Sequence, residues 1–132
     1  MRKWLCMLVC CLSVYVQAQV WTLKEKEPTA PGTWWCFRNT VTLEELPRSL
    51  ELRLAADTKY WLWVNGELQV SEGGLKRGPN PSDTYCDVIT SLPALRAGEN
   101  TVALLVWYFG KDGFSHRNSP TAGISFSLSC DG

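Results

Sequence analysis

Apolar and polar side chains alternate strictly over residues 49–54, with Leu50, Leu52 and Leu54 on one side and Glu51 and Arg53 on the other. A period of two belongs to a strand with one buried face. Residues 60–64 and 67–70 flank Asn65-Gly66, and an Asn-Gly pair between apolar runs predicts a tight hairpin. Aromatic and β-branched residues over 34–43 predict another strand, broken by Leu46-Pro47. Residues 85–90 predict a short strand, 101–109 the most apolar one, and 124–130 an alternating last one. Between them, residues 72–82 and 110–120 are rich in Gly, Pro and polar side chains and read as loops. Residues 92–97 give one helical or irregular turn, Gly98-Glu99-Asn100 a turn, and residues 19–33 an irregular leader or linker. No segment carries a helical period over any length. About seven short strands separated by turn signals predict an all-β, antiparallel β-sandwich over residues 34–132.

Two of these strands depart from simple alternation. In residues 101–109, Val102, Leu104, Val106 and Tyr108 face one way, and Ala103, Leu105, Trp107 and Phe109 face the other. In residues 60–64, Tyr60, Leu62 and Val64 share one face while Trp61 and Trp63 share the opposite one. An antiparallel sandwich ordinarily wets its outer faces. Strands apolar on both sides therefore predict an outer surface with a cover: a loop, a second domain or a ligand. Left bare, it predicts a large apolar patch and self-association.

Composition narrows the function classes. The chain has 132 residues, 13 basic and 13 acidic, with 45% apolar residues and seven Trp. That is room for one domain and too apolar for disorder. Zero net charge gives no long-range attraction to nucleic acid or to an anionic membrane. Arg2 and Lys3 precede an uncharged run from Trp4 to Val16, and Val16-Gln17-Ala18 suits a signal peptidase. Residues 1–18 are thus expected to be a secretory signal, placing the product in the periplasm or outside the cell, with no membrane attachment after cleavage. Lipidation at Cys10 or Cys11 is the competing expectation, disfavoured because neither follows a small residue. Cleavage leaves Cys36, Cys86 and Cys130, an odd number without a recognisable disulfide pattern, so Cys36 and Cys86 are not expected to bond each other. With one His and no Cys-x-x-Cys, neither a metal site nor a cofactor is expected.

The residues that could carry chemistry are few. Trp61 and Trp63, two apart on a strand, project about 7 Å from one another, a spacing at which aromatic rings stack on sugar C–H faces. The alternative is that they pack under the 72–82 loop or a neighbouring domain. Lys76, Arg77 and Asp83 lie in the first loop, and Lys111, Asp112, Ser115, His116 and Arg117 in the second. Such side chains suit sugar hydroxyls; alternatively Arg77 and Lys111 pair with Asp83 and Asp112 to pin the loops. No nucleophile elbow, phosphate-binding Gly loop or singled-out carboxylate pair points to catalysis.

Four runs carry a more specific signal. They are Ala56-Asp57-Thr58-Lys59-Tyr60-Trp61-Leu62-Trp63-Val64-Asn65-Gly66, Glu72-Gly73-Gly74-Leu75-Lys76-Arg77-Gly78-Pro79-Asn80, Asp83-Thr84-Tyr85, and Val106-Trp107-Tyr108-Phe109-Gly110-Lys111-Asp112-Gly113-Phe114-Ser115-His116. In this order they resemble the N-terminal β-sandwich of bacterial α-L-rhamnosidases, glycoside hydrolase family 78, over roughly residues 34–126. The resemblance implies a jelly-roll, galactose-binding-like sandwich ahead of a catalytic (α/α)6 barrel that bears the carboxylates. No catalytic residue transfers to this chain, which is expected to be a truncated product, or else a free-standing sandwich, without rhamnosidase activity. Two roles follow as expectations. One is an accessory module that binds carbohydrate, such as a rhamnose-containing glycan, through Trp61, Trp63, Trp107 and the loop residues Lys76, Arg77, Asp83, Lys111, Asp112 and His116. The other is a structural domain that packs on a catalytic domain through the same surface.

Overall fold

The computed structural model describes residues 19–24, 27–74, 86–114, 117–118 and 122–131. They form eight strands: β1 (Gln19–Lys24), β2 (Thr33–Leu43), β3 (Ser49–Ala56), β4 (Lys59–Val64), β5 (Glu67–Gly74), β6 (Asp87–Ile89), β7 (Gly98–Tyr108) and β8 (Gly123–Asp131). Two four-stranded antiparallel sheets result, ordered β1-β8-β3-β6 and β2-β7-β4-β5. The sandwich read from the alternation is the fold of the chain.

Alternation decides which side chains meet between the sheets. Tyr60, Leu62 and Val64 of β4 and Val102, Leu104 and Val106 of β7 are buried against Leu52, Leu54, Phe126 and Leu128 of the other sheet. Each such side chain contributes about 1.5–3 kcal/mol by leaving water. Tyr60 is wholly buried, so its hydroxyl needs a partner. It donates to Asp87 Oδ2 at 2.9 Å, and the Gly74 N–H donates to the same oxygen at 2.8 Å. Burial, then this bond, raises the Tyr60 phenol pKa far above its ordinary value. Position 73 must be Gly, because a Cβ there would sit 2.2 Å from the Tyr60 ring.

The turn at Asn65-Gly66 has positive φ at both residues, 51° and 85°, as a type I′ hairpin requires. The Asn65 side chain also ties the hairpin to the β6–β7 connection. Its Nδ2 donates to Ala94 O (2.7 Å) and to Asn100 Oδ1 (2.8 Å), and its Oδ1 accepts from the Thr101 N–H (3.0 Å). Asn100, wholly buried, donates to the carbonyls of Arg96 and Gly98 and accepts from the Arg96 N–H. A fully satisfied polar group of this kind specifies the loop rather than weakening it.

Three local expectations are corrected. Gln19–Lys24, expected within an irregular leader, is strand β1 on β8, paired from Gln19 opposite Leu128 to Lys24 opposite Gly123. Its partner lies a hundred residues away in sequence, and the Lys, Glu and Pro that follow hide its strand character. Gly98-Glu99-Asn100, expected as a turn, opens β7, because all three pair with Leu43, Thr42 and Val41. Glu72, Gly73 and Gly74, assigned to a loop, end β5, which carries bulges opposite β4. Of the two alternatives for residues 92–97, the irregular turn is the one formed, closed by the Leu95 N–H on Leu92 O.

Candidate functional site

The outer face of the β2-β7-β4-β5 sheet is where the anomalous side chains emerge. Trp61 and Trp63 alternate with the buried Tyr60, Leu62 and Val64, so they point away from the core and are half-buried. Register sets their neighbours. Trp34 lies opposite Trp107, which lies opposite Lys59. The next row is Cys36, Leu105 and Trp61, and the next is Arg38, Ala103, Trp63 and Leu68. Both β4 and β7 are thus apolar on their two sides.

The β3–β4 corner fixes this register. The Thr58 N–H donates to Trp107 O at 2.8 Å, and Thr58 Oγ1 accepts from the Phe109 N–H at 3.0 Å. Asp57 N–H reaches Gly123 O on the opposite sheet at 2.9 Å. Trp34 and Trp61 stand two strands and one row apart, roughly 12 Å between backbones. Their indoles lean inward and close that gap. Ring centroids are 5.7 Å apart for Trp34–Trp61, with planes 27° apart, and 5.7 Å for Trp34–Trp107, with planes 21° apart. Phe109 continues the series at 5.3 Å from Trp107. Centroids this close with near-parallel planes are offset stacks, each ring partly covering the next. Two cations border the rings: Lys59 donates to Glu72 Oε2 at 3.0 Å, and Arg38 is exposed in the row of Trp63.

Of the site residues read from the sequence, the structure brings Trp61, Trp63 and Trp107 onto one face. Lys111 is exposed in the segment after β7. Asp112 accepts from Arg117 Nη1 (2.9 Å) and from the Asn118 N–H (2.8 Å), and Asn118 Nδ2 donates to the Tyr108 hydroxyl (3.1 Å). Asp112 therefore pins its loop, as one expectation had it, but its cation is Arg117 and not Lys111. Lys76, Arg77, Asp83 and His116 lie outside the described residues. Sequence reasoning missed Trp34, which is 51% exposed and central to the stack. Trp34-Trp35 in a strand must place one ring on each side, but only the β2–β7 register shows which Trp joins which.

The three thiols are unpaired, with Cys36 and Cys86 exposed. Cys130 is buried, and desolvation followed by the nearby Asp131 charge raises its pKa. Among the described residues no group of three or more His, Cys, Asp or Glu is placed to hold a metal ion.

No family model and no curated protein matches the chain. Among solved structures, the chain is similar to the crystal structure of a GH78 family rhamnosidase of Bacillus sp. GL1, at 28% identity and a TM-score of 0.70. The match covers 89% of this chain and 12% of the rhamnosidase chain, so the likeness is to one domain-sized segment of a glycoside hydrolase.

Proposed function

We propose that the chain is a non-catalytic accessory β-sandwich of an exported, α-L-rhamnosidase-like glycoside hydrolase, and that it contributes carbohydrate binding. The observation that carries this reading is the aromatic outer face of the β2-β7-β4-β5 sheet, on a chain similar to a segment of a rhamnosidase. Indole rings offer apolar faces to sugar C–H groups, and a sheet holds them in fixed register. The non-catalytic assignment rests on the resemblance, which implies that the acid and base carboxylates belong to a separate barrel. Export rests on the charge and apolar pattern of residues 1–18, which lie outside the described residues.

A second reading is favoured by the ring geometry. Trp34, Trp61 and Trp107 stack on one another, so part of each ring face is already covered. A surface of overlapped rings suits the dry face of a catalytic domain better than a hydroxylated ligand. In that reading the domain is purely structural and binds no sugar alone. A glycan array probed with the purified chain separates the two. Binding to rhamnose-containing or other glycans supports the accessory module. Absence of binding, together with tight association to a catalytic domain supplied in trans, supports the structural one.

A further inference from the structure

A groove of about 310 Å³ opens at the end of the sandwich opposite the Asp57-Thr58 corner. It exists because β6 stays beside β3 for only three residues, with Leu52, Arg53 and Leu54 opposite Ile89, Val88 and Asp87. Past Ile89 the chain swings away to Leu92, and the space beside Ser49 and Leu50 stays open. The buried Leu92 and Leu95, with half-buried Leu50, make an apolar floor; Leu46 and Pro47 stand at the rim.

Polar groups converge on the same space. Arg48 lines it, and its guanidinium makes no ion pair or side-chain hydrogen bond among the described residues. The Arg48 N–H donates to Asp131 O at 3.1 Å, which anchors the backbone beneath it. Ser49 Oγ donates to Asp131 Oδ2 at 2.6 Å, so its own oxygen remains an acceptor. Thr90 and Ser91 add two exposed residues with hydroxyls.

We propose that this groove takes a single neutral sugar ring. The inference rests on the carbohydrate-binding reading above and moves the polar contact from the Trp face to this end of the fold. A pyranose offers an apolar C–H side and a fringe of hydroxyls, each both donor and acceptor. The Leu floor meets the first requirement. Arg48 as a forked donor, with Ser49, Thr90 and Ser91, meets the second. The Trp face meets only the first. Ligand sites begin at about 300 Å³, so the groove holds one ring rather than an extended glycan. An anionic sugar is disfavoured, because the Asp131 carboxylate is held beside the groove and Glu44 and Glu45 are exposed just before its rim.

The test is an amide and side-chain NMR titration of the 15N-labelled chain. The neutral probes are the methyl glycosides of rhamnose, galactose, glucose and mannose; the charged probe is galacturonate. At least one neutral glycoside should move the Arg48 Nε–H, Ser49, Ser91 and Leu92 signals, leaving the indole N–H signals of Trp34, Trp61, Trp63 and Trp107 in place. Arg48→Gln, at an exposed position, should weaken binding by about fivefold or more with an unchanged melt. Shifts confined to the indoles overturn the groove and leave the carbohydrate-binding reading standing. No shift with any probe overturns both. Equal binding of galacturonate, or full binding by the Arg48→Gln chain, overturns the proposed recognition.

Discussion

Single residues set the conditions for the core. Tyr60 is the largest side chain in it, and its hydroxyl is tolerated there only because Asp87 accepts its proton bond. Burial and the bond to Asp87 raise the phenol pKa in the folded chain well above its ordinary value. Its contribution is therefore fully present below about pH 10, the unfolded value, and is lost as pH rises beyond that towards the folded pKa. Melts of the wild type should show a loss of stability above about pH 10 that Tyr60→Phe reduces. At neutral pH the same change should cost about 1–2 kcal/mol, since Asp87 keeps the Gly74 N–H. Asn100 matters more. Asn100→Ala removes partners from the Arg96 N–H, the Arg96 and Gly98 carbonyls and the Asn65 amide. A loss of about 2–4 kcal/mol is expected in urea unfolding, with an unchanged m-value.

Among the elements, β4 and β7 set the character of the molecule. Each spends one face on the core and the other on an outer aromatic surface. The two faces should respond differently to substitution. Trp61→Thr with Trp63→Thr keeps strand propensity and removes the Trp34–Trp61 stack, worth about 0.5–1.5 kcal/mol beyond area burial. A lowering of the melting temperature by several degrees, less binding of a hydrophobic dye and less self-association are expected. Leu62→Ala, one residue between them and wholly buried, should cost about 2–5 kcal/mol. Comparable losses from the two variants in thermal melts would place the Trp pair in the core and end the surface reading. The alternation of residues 60–64 made this division legible without a structure. The contribution of Trp34 was not legible, because β2 reaches β4 only by way of β7.

For the whole molecule, the described residues build a sandwich and a patterned surface, and the expectation of no catalysis rests on the resemblance to a domain outside the catalytic barrel. The purified chain is expected to leave an aryl α-L-rhamnoside intact; release of the aryl alcohol above a buffer blank, removed by immunodepletion of the chain, would contradict this. The existence and facing of the strands after β1 and the Asn65-Gly66 hairpin were determined by the sequence alone, because side-chain alternation and positive-φ turn chemistry act over a few neighbouring residues. Which strands became neighbours was decided by the tertiary structure, because ladder bonds join segments far apart along the chain. β1 found β8 a hundred residues on, and β2 took the edge beside β7. The stacking of Trp34 on Trp61 and Trp107, the Asn65–Asn100 lock and the groove left where β6 parts from β3 all follow from those pairings. None has a local signature, since each is made by residues whose only relation is the register of the sheets that hold them.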